Sequence, residues 1–327
     1  MGWKRKAGFG CGGLFLLILL ALAGALYFGL LSPAVQLVEP GETGRRITDD
    51  GLVANYYPAR RAGRQPAVLL LGGSEGGLTE SGRRIATALQ AEGFSVLQLS
   101  YYRAPGQPPH LERIPLEYFA TSLSWLQRQP EVDPERLAVA GASKGAEAAL
   151  LLAARDRRVR AVVAAAPSSV AWQGSSFDSL ADFGSSWSEA GQPLEHLRFG
   201  RWLWWRDMHP ILRKALATLP EHPGAAIAIE RSGARVLLIC GEDDRLWPSC
   251  PMARQIAERA RSRGRPDVTL LAYRDAGHAV FGPPVPPGKA GTGGPYRLGG
   301  TDDGNKRARA EGWGRTLAFL RETGQIR

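Results

Sequence analysis

Short, continuously apolar stretches alternate with amphipathic ones along most of the chain. The stretch AVLLL at 67–71 has the length and composition of a strand buried on both faces of a parallel sheet. A glycine-rich turn follows at 72–77, and a helical pattern then runs from 80 to 92 and stops at Gly93. Further strands are predicted at 51–58 (a short edge strand), 94–99, 137–140, 159–165, 234–240 and 268–273, and further helices at 116–129, 146–154, 253–261 and 306–320. This alternation predicts an α/β fold, with a mostly parallel central sheet and helices on both faces.

The region from 167 to 230 breaks this alternation. It is rich in serine, glycine and tryptophan, and no buried strand is predicted within it. Its aromatic side chains fit two compatible interpretations, a small separate core beneath long loops or an apolar pocket in a cap over the functional site. The tryptophans concerned are Trp172, Trp187, Trp202, Trp204 and Trp205.

The N-terminal part of the chain predicts a membrane anchor. An almost charge-free apolar run at 9–31 follows a short basic segment at 1–8, and a bilayer core needs ~20 such residues. A cleaved signal peptide is the alternative, because 21–23 resembles a small-residue cleavage site, but the apolar run continues beyond that point. The positive-inside rule then places the tether at 32–50 and a single domain at 51–327 outside the cytoplasm, in the periplasm or beyond.

The charge and the cysteine count change this picture little. The net charge of +10 is compatible with nucleic-acid binding, but the arginines are scattered and no nucleic-acid-binding motif accompanies them. A basic, solvated surface beside anionic lipid headgroups is the interpretation that we favour, with no nucleic-acid partner.

Three cysteines are too few for a disulfide framework. A bridge between Cys240 and Cys250 is conceivable in an oxidising compartment, but a buried free cysteine is the commoner outcome for Cys240 at the end of a strand.

The segment GASKG at 141–145 fits the pattern G-x-S-x-G, between an apolar strand and a helix rich in alanine and leucine. In this context the serine lies on a sharp turn that exposes its hydroxyl at a helix N-terminus, and the two glycines leave room for the turn. Ser143 is therefore the candidate nucleophile, with helix capping as the alternative role.

A serine nucleophile needs a base, and the base needs a carboxylate partner. Of the five histidines, His278 alone follows the last predicted strand, where the chain order Ser, Asp or Glu, His requires the base. Three acids follow the preceding strand, and we choose Asp244 as the carboxylate, with Asp243 in reserve. An oxyanion hole is expected from the backbone amide of Lys144 and from the turn around Gly73 or Ser74.

These residues predict an α/β-hydrolase fold and a serine hydrolase that works through an acyl-serine intermediate on a small-molecule acyl ester or thioester. Acyl transfer to an acceptor other than water and a catalytically inactive binding module are the alternatives. The histidines are too scattered for a recognised zinc spacing and there is no H-E-x-x-H, so no metal and no cofactor are predicted.

Several segments resemble one family. They are 141–147 (GASKGAE), 169–174 (SVAWQG), 191–194 (GQPL), 241–249 (GEDDRLWPS) and 276–278 (AGH). They look like the C-terminal catalytic domain of the acyl-CoA thioesterase and bile acid-CoA:amino acid N-acyltransferase family. The resemblance implies a catalytic triad that falls on Ser143, Asp244 and His278. A serine nucleophile, as in the family's hydrolases, favours water as the acceptor over the amino acids used by its cysteine-dependent acyltransferases.

Overall fold

A computed structural model of the protein describes residues 11–27, 35–176, 181–201, 207–285 and 298–322. Its strands are β1 (Arg45–Ile47), β2 (Val53–Tyr57), β3 (Gln65–Leu71), β4 (Ser95–Ser100), β5 (Ile114–Pro115), β6 (Val132–Ala142), β7 (Val159–Ala165), β8 (Trp187–Glu189), β9 (Gln192–Pro193), β10 (Arg235–Gly241) and β11 (Val268–Tyr273). Its α-helices are α1 (Cys11–Tyr27), α2 (Glu80–Ala91), α3 (Leu116–Gln127), α4 (Lys144–Ala153), α5 (His209–Leu216), α6 (Ser249–Ser262) and α7 (Asp302–Glu322).

Helix α1 has 17 residues, and its leucine side chains from Leu14 to Leu22 are exposed. Within the described ranges, no helix has both the length and the apolar character needed to cross a membrane. The prediction of a transmembrane helix at 9–31 is therefore not supported, and residues 9–10 and 28–31 lie outside the described ranges.

The main sheet has the order β1-β2-β4-β3-β6-β7-β10-β11. The pairs β1 with β2 and β2 with β4 are antiparallel, and all the other neighbours in this sheet are parallel. The predicted α/β fold with a mostly parallel sheet is confirmed. Strand β1 comes from the predicted tether and takes the edge position, so β2, which we predict as the edge strand, lies one place further in.

The central strands are apolar throughout because both of their faces are covered. Leu69 and Val162 point into one core, which α3, α4 and α6 cover, whereas Leu70 and Val163 point into a second core beneath α2 and α7. Alternate residues of one strand thus enter opposite layers, as expected for a parallel sheet between helices.

The chain reverses its direction of travel across the sheet at β3. Strand β4 lies on one side of β3, and β6 lies on the other. The connection that leaves β3 therefore runs to one side of the sheet, and the connection that leaves the adjacent β6 runs to the other side. In open α/β sheets, two adjacent connections that diverge in this way open a crevice at the carboxyl ends of their strands. The turn at 72–77 and Ser143 leave the ends of β3 and β6, so the fold brings these segments of the chain together.

The region predicted as a cap contributes β8 and β9 to a small sheet that the hydrophobic pattern does not reveal. Strand β8 pairs in parallel with β5 and antiparallel with β9. Trp172 and Leu212 pack with Trp247 and Met252 in a third, separate core, which agrees with the interpretation of the aromatic residues as a small core. Trp187 instead belongs to the main core, and Trp202, Trp204 and Trp205 lie outside the described residues.

Cys240 and Cys250 form a disulfide bond. Cys240 lies in β10, and the loop after this strand folds back so that Cys250, in the first turn of α6, comes to a Cα–Cα distance of 5.2 Å from it. The structure therefore has the bridge that the sequence left open, and not the free Cys240 that we considered the commoner outcome. The sequence does not decide between the two because the distance between the cysteines is set by the path of the loop.

Candidate active site

Ser143 occupies a strained turn between β6 and α4. Its backbone angles are φ 56° and ψ −123°, a conformation that residues other than glycine seldom adopt. The amide of Ser143 donates to the carbonyl of Ala165 at 2.9 Å, which ties the turn to the end of β7. Strain of this kind persists only where the surrounding structure fixes it, and it clusters at functional sites. The local geometry is that of the strand-to-helix turn predicted from G-x-S-x-G.

The two glycines of this segment are required by close backbone contacts. A Cβ atom on Gly141 would lie 2.3 Å from the carbonyl oxygen of Gly145. A Cβ atom on Gly145 would lie 2.3 Å from the carbonyl oxygen of Gly72, which belongs to the turn after β3. Any side chain at either position would therefore push the serine turn away from its neighbours.

His278 and Asp244 form a hydrogen-bonded pair. The Nδ1 atom of His278 lies 2.8 Å from Oδ2 of Asp244, and the side chains are only 11% and 2% exposed. Trp247 packs against the imidazole in an edge-to-face arrangement, with the ring centroids 5.9 Å apart. Because Nδ1 faces the carboxylate, Nε2 is the nitrogen left to contact a substrate or a serine hydroxyl.

The carboxylate of Asp244 is held in place by three further hydrogen bonds. Oδ1 accepts from the amides of Leu246 at 2.9 Å and Trp247 at 3.2 Å, and Oδ2 accepts from the hydroxyl of Ser249 at 2.6 Å. Such contacts fix the orientation of the carboxylate toward the histidine. The hydrogen bond that Ser249 donates to this carboxylate cannot be read from the sequence.

The other two acids of the same loop face elsewhere. Asp243 accepts from Nε of Arg245 at 2.7 Å and from the amide of Gly300 at 2.9 Å. Glu242 pairs with Arg254. Of the three acids considered, Asp244 is therefore the one that the structure brings to His278.

The expected oxyanion-hole groups lie beside Ser143. Lys144 is the first residue of α4, a position whose amide has no partner within the helix. A Cβ atom on Gly73 would lie 3.5 Å from Cβ of Ser143, and Ser74 shares a cavity with Ser143. The assignment of these amides to an oxyanion hole stays a prediction.

Two tyrosines at the end of β4 hold the turn at 72–74. The hydroxyl of Tyr101 donates to the carbonyls of Gly72 at 2.7 Å and Gly73 at 3.0 Å, and Tyr102 donates to the carbonyl of Ser74. In a trans peptide the N–H points opposite to the C=O, so these contacts also fix the direction of the amides. Burial raises the pKa of Tyr101 well above its usual value, which keeps its hydroxyl a donor. Nothing in the sequence singles out these tyrosines.

The side chain of Lys144 forms a buried ion pair. Its Nζ lies 3.0 Å from Oε2 of Glu147 and 2.7 Å from the hydroxyl of Ser186, and Glu147 is fully buried. Burial lowers the pKa of Lys144 and raises the pKa of Glu147, and each charge opposes the shift of the other. The ammonium thus binds groups of the helix and the cap region.

Glu147 connects α4 to the cap region. Its Oε1 accepts from the backbone amide of Trp172 at 2.8 Å and from the indole N–H of Trp187 at 2.6 Å. The SKGAE segment therefore carries both the candidate nucleophile, Ser143, and the carboxylate of Glu147 that binds the cap region. The partners of Glu147 lie 25 and 40 residues further along the chain, and the sequence does not predict these contacts.

A cavity of about 800 Å³ reaches both Ser143 and His278. Its walls include Leu99, Ile85 and Phe281, together with the turn after β3. A smaller cleft that also reaches Ser143 is lined by Trp172, Phe199 and Leu212 of the cap region, and by Ser74, Lys144, Ser175, Leu246 and Trp247. In the described part of the chain, no cluster of three potential ligands could hold a metal ion.

The sequence model of the BAAT / Acyl-CoA thioester hydrolase C-terminal family matches residues 114–325. The chain belongs to this family. The matched range contains Ser143, Asp244 and His278, so the geometry described above lies inside the family domain.

Relatives of this family member include mouse enzymes. Acyl-coenzyme A thioesterase 5 of Mus musculus is 27% identical over 298 residues, which cover 89% of this chain and 68% of the mouse protein. Acyl-coenzyme A thioesterase 1 of Mus musculus is 28% identical over 289 residues, covering 87% and 66%. The chain thus spans about two thirds of the length of these relatives, and their activities support a hydrolase acting on esters or thioesters.

Solved structures with low sequence identity share the fold. A dienelactone hydrolase-like promiscuous phosphotriesterase from metagenomic libraries has a TM-score of 0.52 and 17% identity, over 86% of this chain and 98% of that one. A puromycin-hydrolyzing peptidase of Mycobacterium tuberculosis has a TM-score of 0.56 and 15% identity, over 90% of this family member and 41% of the peptidase. These likenesses identify the fold as that of the α/β-hydrolases.

Proposed function

We propose that this protein hydrolyses an acyl ester or thioester through an acyl-serine intermediate on Ser143. The observation that carries the proposal is the hydrogen-bonded pair of His278 and Asp244, whose histidine lines the same cavity as Ser143. A serine on a strained turn, a histidine and an orienting carboxylate in this chain order are the parts that acyl transfer requires.

The reaction starts when Oγ of Ser143 attacks the acyl carbonyl while Nε2 of His278 takes its proton. Asp244 holds the Nδ1–H tautomer of the histidine and stabilises the imidazolium. The negative oxygen of the tetrahedral intermediate accepts hydrogen bonds from the amides of Lys144 and of Gly73 or Ser74, each typically worth ~10² to 10³ in rate.

Collapse of that intermediate breaks the bond to the leaving group. The departing alcohol or thiol takes the proton from His278 and leaves the acyl group on Ser143. A water molecule, deprotonated by the same histidine, then attacks the acyl-serine. As this second tetrahedral intermediate collapses, Oγ of Ser143 takes the proton back from His278 and the carboxylic acid leaves, which regenerates the enzyme.

The thioester option is supported by the relatives, which are acyl-coenzyme A thioesterases by name. The mostly apolar wall of the cavity fits an acyl chain or the arm of a thioester leaving group. An alcohol leaving group uses the same residues, so the ratio of thioester to ester turnover decides between them.

We also propose that the domain works outside the cytoplasm. The bond between Cys240 and Cys250 supports this, because disulfides form and persist in oxidising compartments and are rare in the cytosol of mesophiles. The basic residues that precede the N-terminal apolar segment agree with export of the rest of the chain.

The test is active-site labelling of the full-length protein with a fluorophosphonate, alongside turnover of p-nitrophenyl esters and acyl-coenzyme A. We expect the wild type to be labelled and active, and Ser143→Ala to lose both properties while it stays folded. Ser262→Ala is a matched control, because Ser262 ends α6, about 20 Å along the helix from its first residue. A folded wild type that takes no label and turns over neither substrate would leave the serine mechanism without support.

A further inference from the structure

Two arginines from different helices line the cavity that contains Ser143 and His278. Arg84 lies on α2, and Arg309 lies on α7. Both helices pack on the same face of the sheet. Arg103 and Glu75 also line the cavity, so three arginines and one glutamate give the described wall a formal charge of +2.

Arg309 is partly buried and incompletely bonded. Its Nη2 donates to the carbonyl of Pro283 at 3.2 Å, but its Nε is buried and has no hydrogen-bond partner among the described residues. Burial, together with the nearby charge of Arg84, lowers its pKa. A buried guanidinium donor without an acceptor costs free energy, and the side chain as a whole lines the cavity, where an anion would meet its positive charge.

Neither Arg84 nor Arg309 pairs with a carboxylate in the part of the chain that the structure describes. The neighbouring Arg83 is different, because its Nε and Nη2 bind both carboxylate oxygens of Glu80 at 2.8 and 2.7 Å. Room for the guanidinium of Arg309 exists because position 282 is glycine. A Cβ atom there would lie 2.8 Å from Nη2 of Arg309 and 3.2 Å from Cγ1 of Ile85.

We propose that Arg84 and Arg309 form an anion-binding subsite that holds a phosphate or carboxylate group of the substrate during acyl transfer at Ser143. The guanidinium fork binds both kinds of anion with two parallel hydrogen bonds. Apolar side chains such as Ile85 and Phe281 line the same cavity. The substrate class is thus an acyl compound with an apolar segment and a fixed anionic group, and this inference rests on the proposed hydrolase activity.

Two sources can supply that anion, a phosphorylated leaving group or a carboxylate at the far end of the acyl chain. The experiment therefore compares three thioesters that share one acyl length. They are the uncharged acyl-N-acetylcysteamine, the acyl-coenzyme A, and an acyl-N-acetylcysteamine whose chain ends in a carboxylate. Values of kcat/KM are measured for the wild-type protein and for Arg84→Gln, Arg309→Gln and Arg309→Lys.

We expect each arginine-to-glutamine change to lower kcat/KM for one anionic thioester by about tenfold or more, mainly through KM, because a charge-assisted hydrogen bond is lost. The uncharged thioester should change by less than about twofold. Arg309→Lys keeps the charge but not the fork, and should fall between wild type and Arg309→Gln. Arg83→Gln is the matched control, since Arg83 is paired with Glu80 and does not line this cavity.

The affected substrate identifies the source of the anion. Equal losses on charged and uncharged thioesters, or no loss on any of them, would overturn the subsite. Binding of coenzyme A and of a medium-chain dicarboxylic acid, followed by calorimetry, tests the arginines without turnover. If the wild type hydrolyses nothing but binds one of these anions through Arg84 and Arg309, the proposed hydrolase fails and the subsite stands.

Discussion

At the scale of single residues, the candidate site depends on which atom faces which partner. Asp243 and Asp244 are adjacent in a short loop and identical in type, so the sequence favours Asp244 by its position alone and keeps Asp243 in reserve. The structure turns Asp244 inward to Nδ1 of His278 and turns Asp243 outward to Arg245. The two adjacent acids therefore have different partners, and substituting each of them in turn tests which one the activity requires.

Asp244→Asn should lower kcat by about 10⁴-fold, because the amide no longer holds the correct tautomer of His278 or stabilises its charged form. Asp243→Asn should leave kcat within a few fold, because its ion pair with Arg245 is largely exposed and such pairs contribute ~1 kcal/mol or less. Steady-state kinetics on one ester and one thioester check both. A large loss for Asp243→Asn with a small one for Asp244→Asn would reverse the assignment.

At the scale of secondary-structure elements, α4 links the candidate nucleophile to the cap region. Its first turn carries the buried pair of Lys144 and Glu147, and Glu147 in turn binds the backbone of Trp172 and the indole of Trp187. Removing one member of a buried ion pair leaves the other charge without compensation, which is more damaging than removing both.

Glu147→Gln should lower the free energy of unfolding by ~3–5 kcal/mol, since the ammonium of Lys144 remains buried without its counter-charge. The double variant Lys144→Met with Glu147→Gln should recover much of this loss. Glu189→Gln is the control, because Glu189 pairs with Arg155 on the surface and its loss should cost ~1 kcal/mol or less. Denaturant unfolding of these variants and of the wild type measures each change in the free energy of unfolding. Losses of equal size for Glu147→Gln and Glu189→Gln would contradict the buried-pair argument.

The elements that the sequence predicts well are those whose signal is local. Strands β7 and β11 have the bounds 159–165 and 268–273 that their apolar runs predict, and α2 begins at Glu80 as its pattern indicates. Strands of two residues, such as β5 and β9, are too short to show a periodicity, and β5 is a strand because it pairs with β8, more than 70 residues further along the chain. The tyrosines that hold the turn after β3 and the partners of Glu147 were beyond prediction for the same reason.

At the scale of the whole molecule, the disulfide bond makes the fold depend on the redox conditions around the protein. The bond between Cys240 and Cys250 closes the loop that carries Asp244, and the third cysteine, Cys11, lies on α1, far away in sequence. Because the bond spans the segment between β10 and α6, its loss would loosen the carboxylate that orients His278. Stability and activity are therefore both expected to depend on an oxidising environment.

The protein isolated without reductant should expose a single thiol to an alkylating reagent after unfolding, and three after reduction, as intact mass would show. Reduction, or Cys240→Ala with Cys250→Ala, should lower the free energy of unfolding by ~2–4 kcal/mol, the usual contribution of a disulfide. It should also lower kcat, because the loop bearing Asp244 gains freedom. Cys11→Ser is the control and should change neither quantity. Three reactive thiols before reduction would show that the bond does not form in the cell, and the proposed placement outside the cytoplasm would lose its structural support.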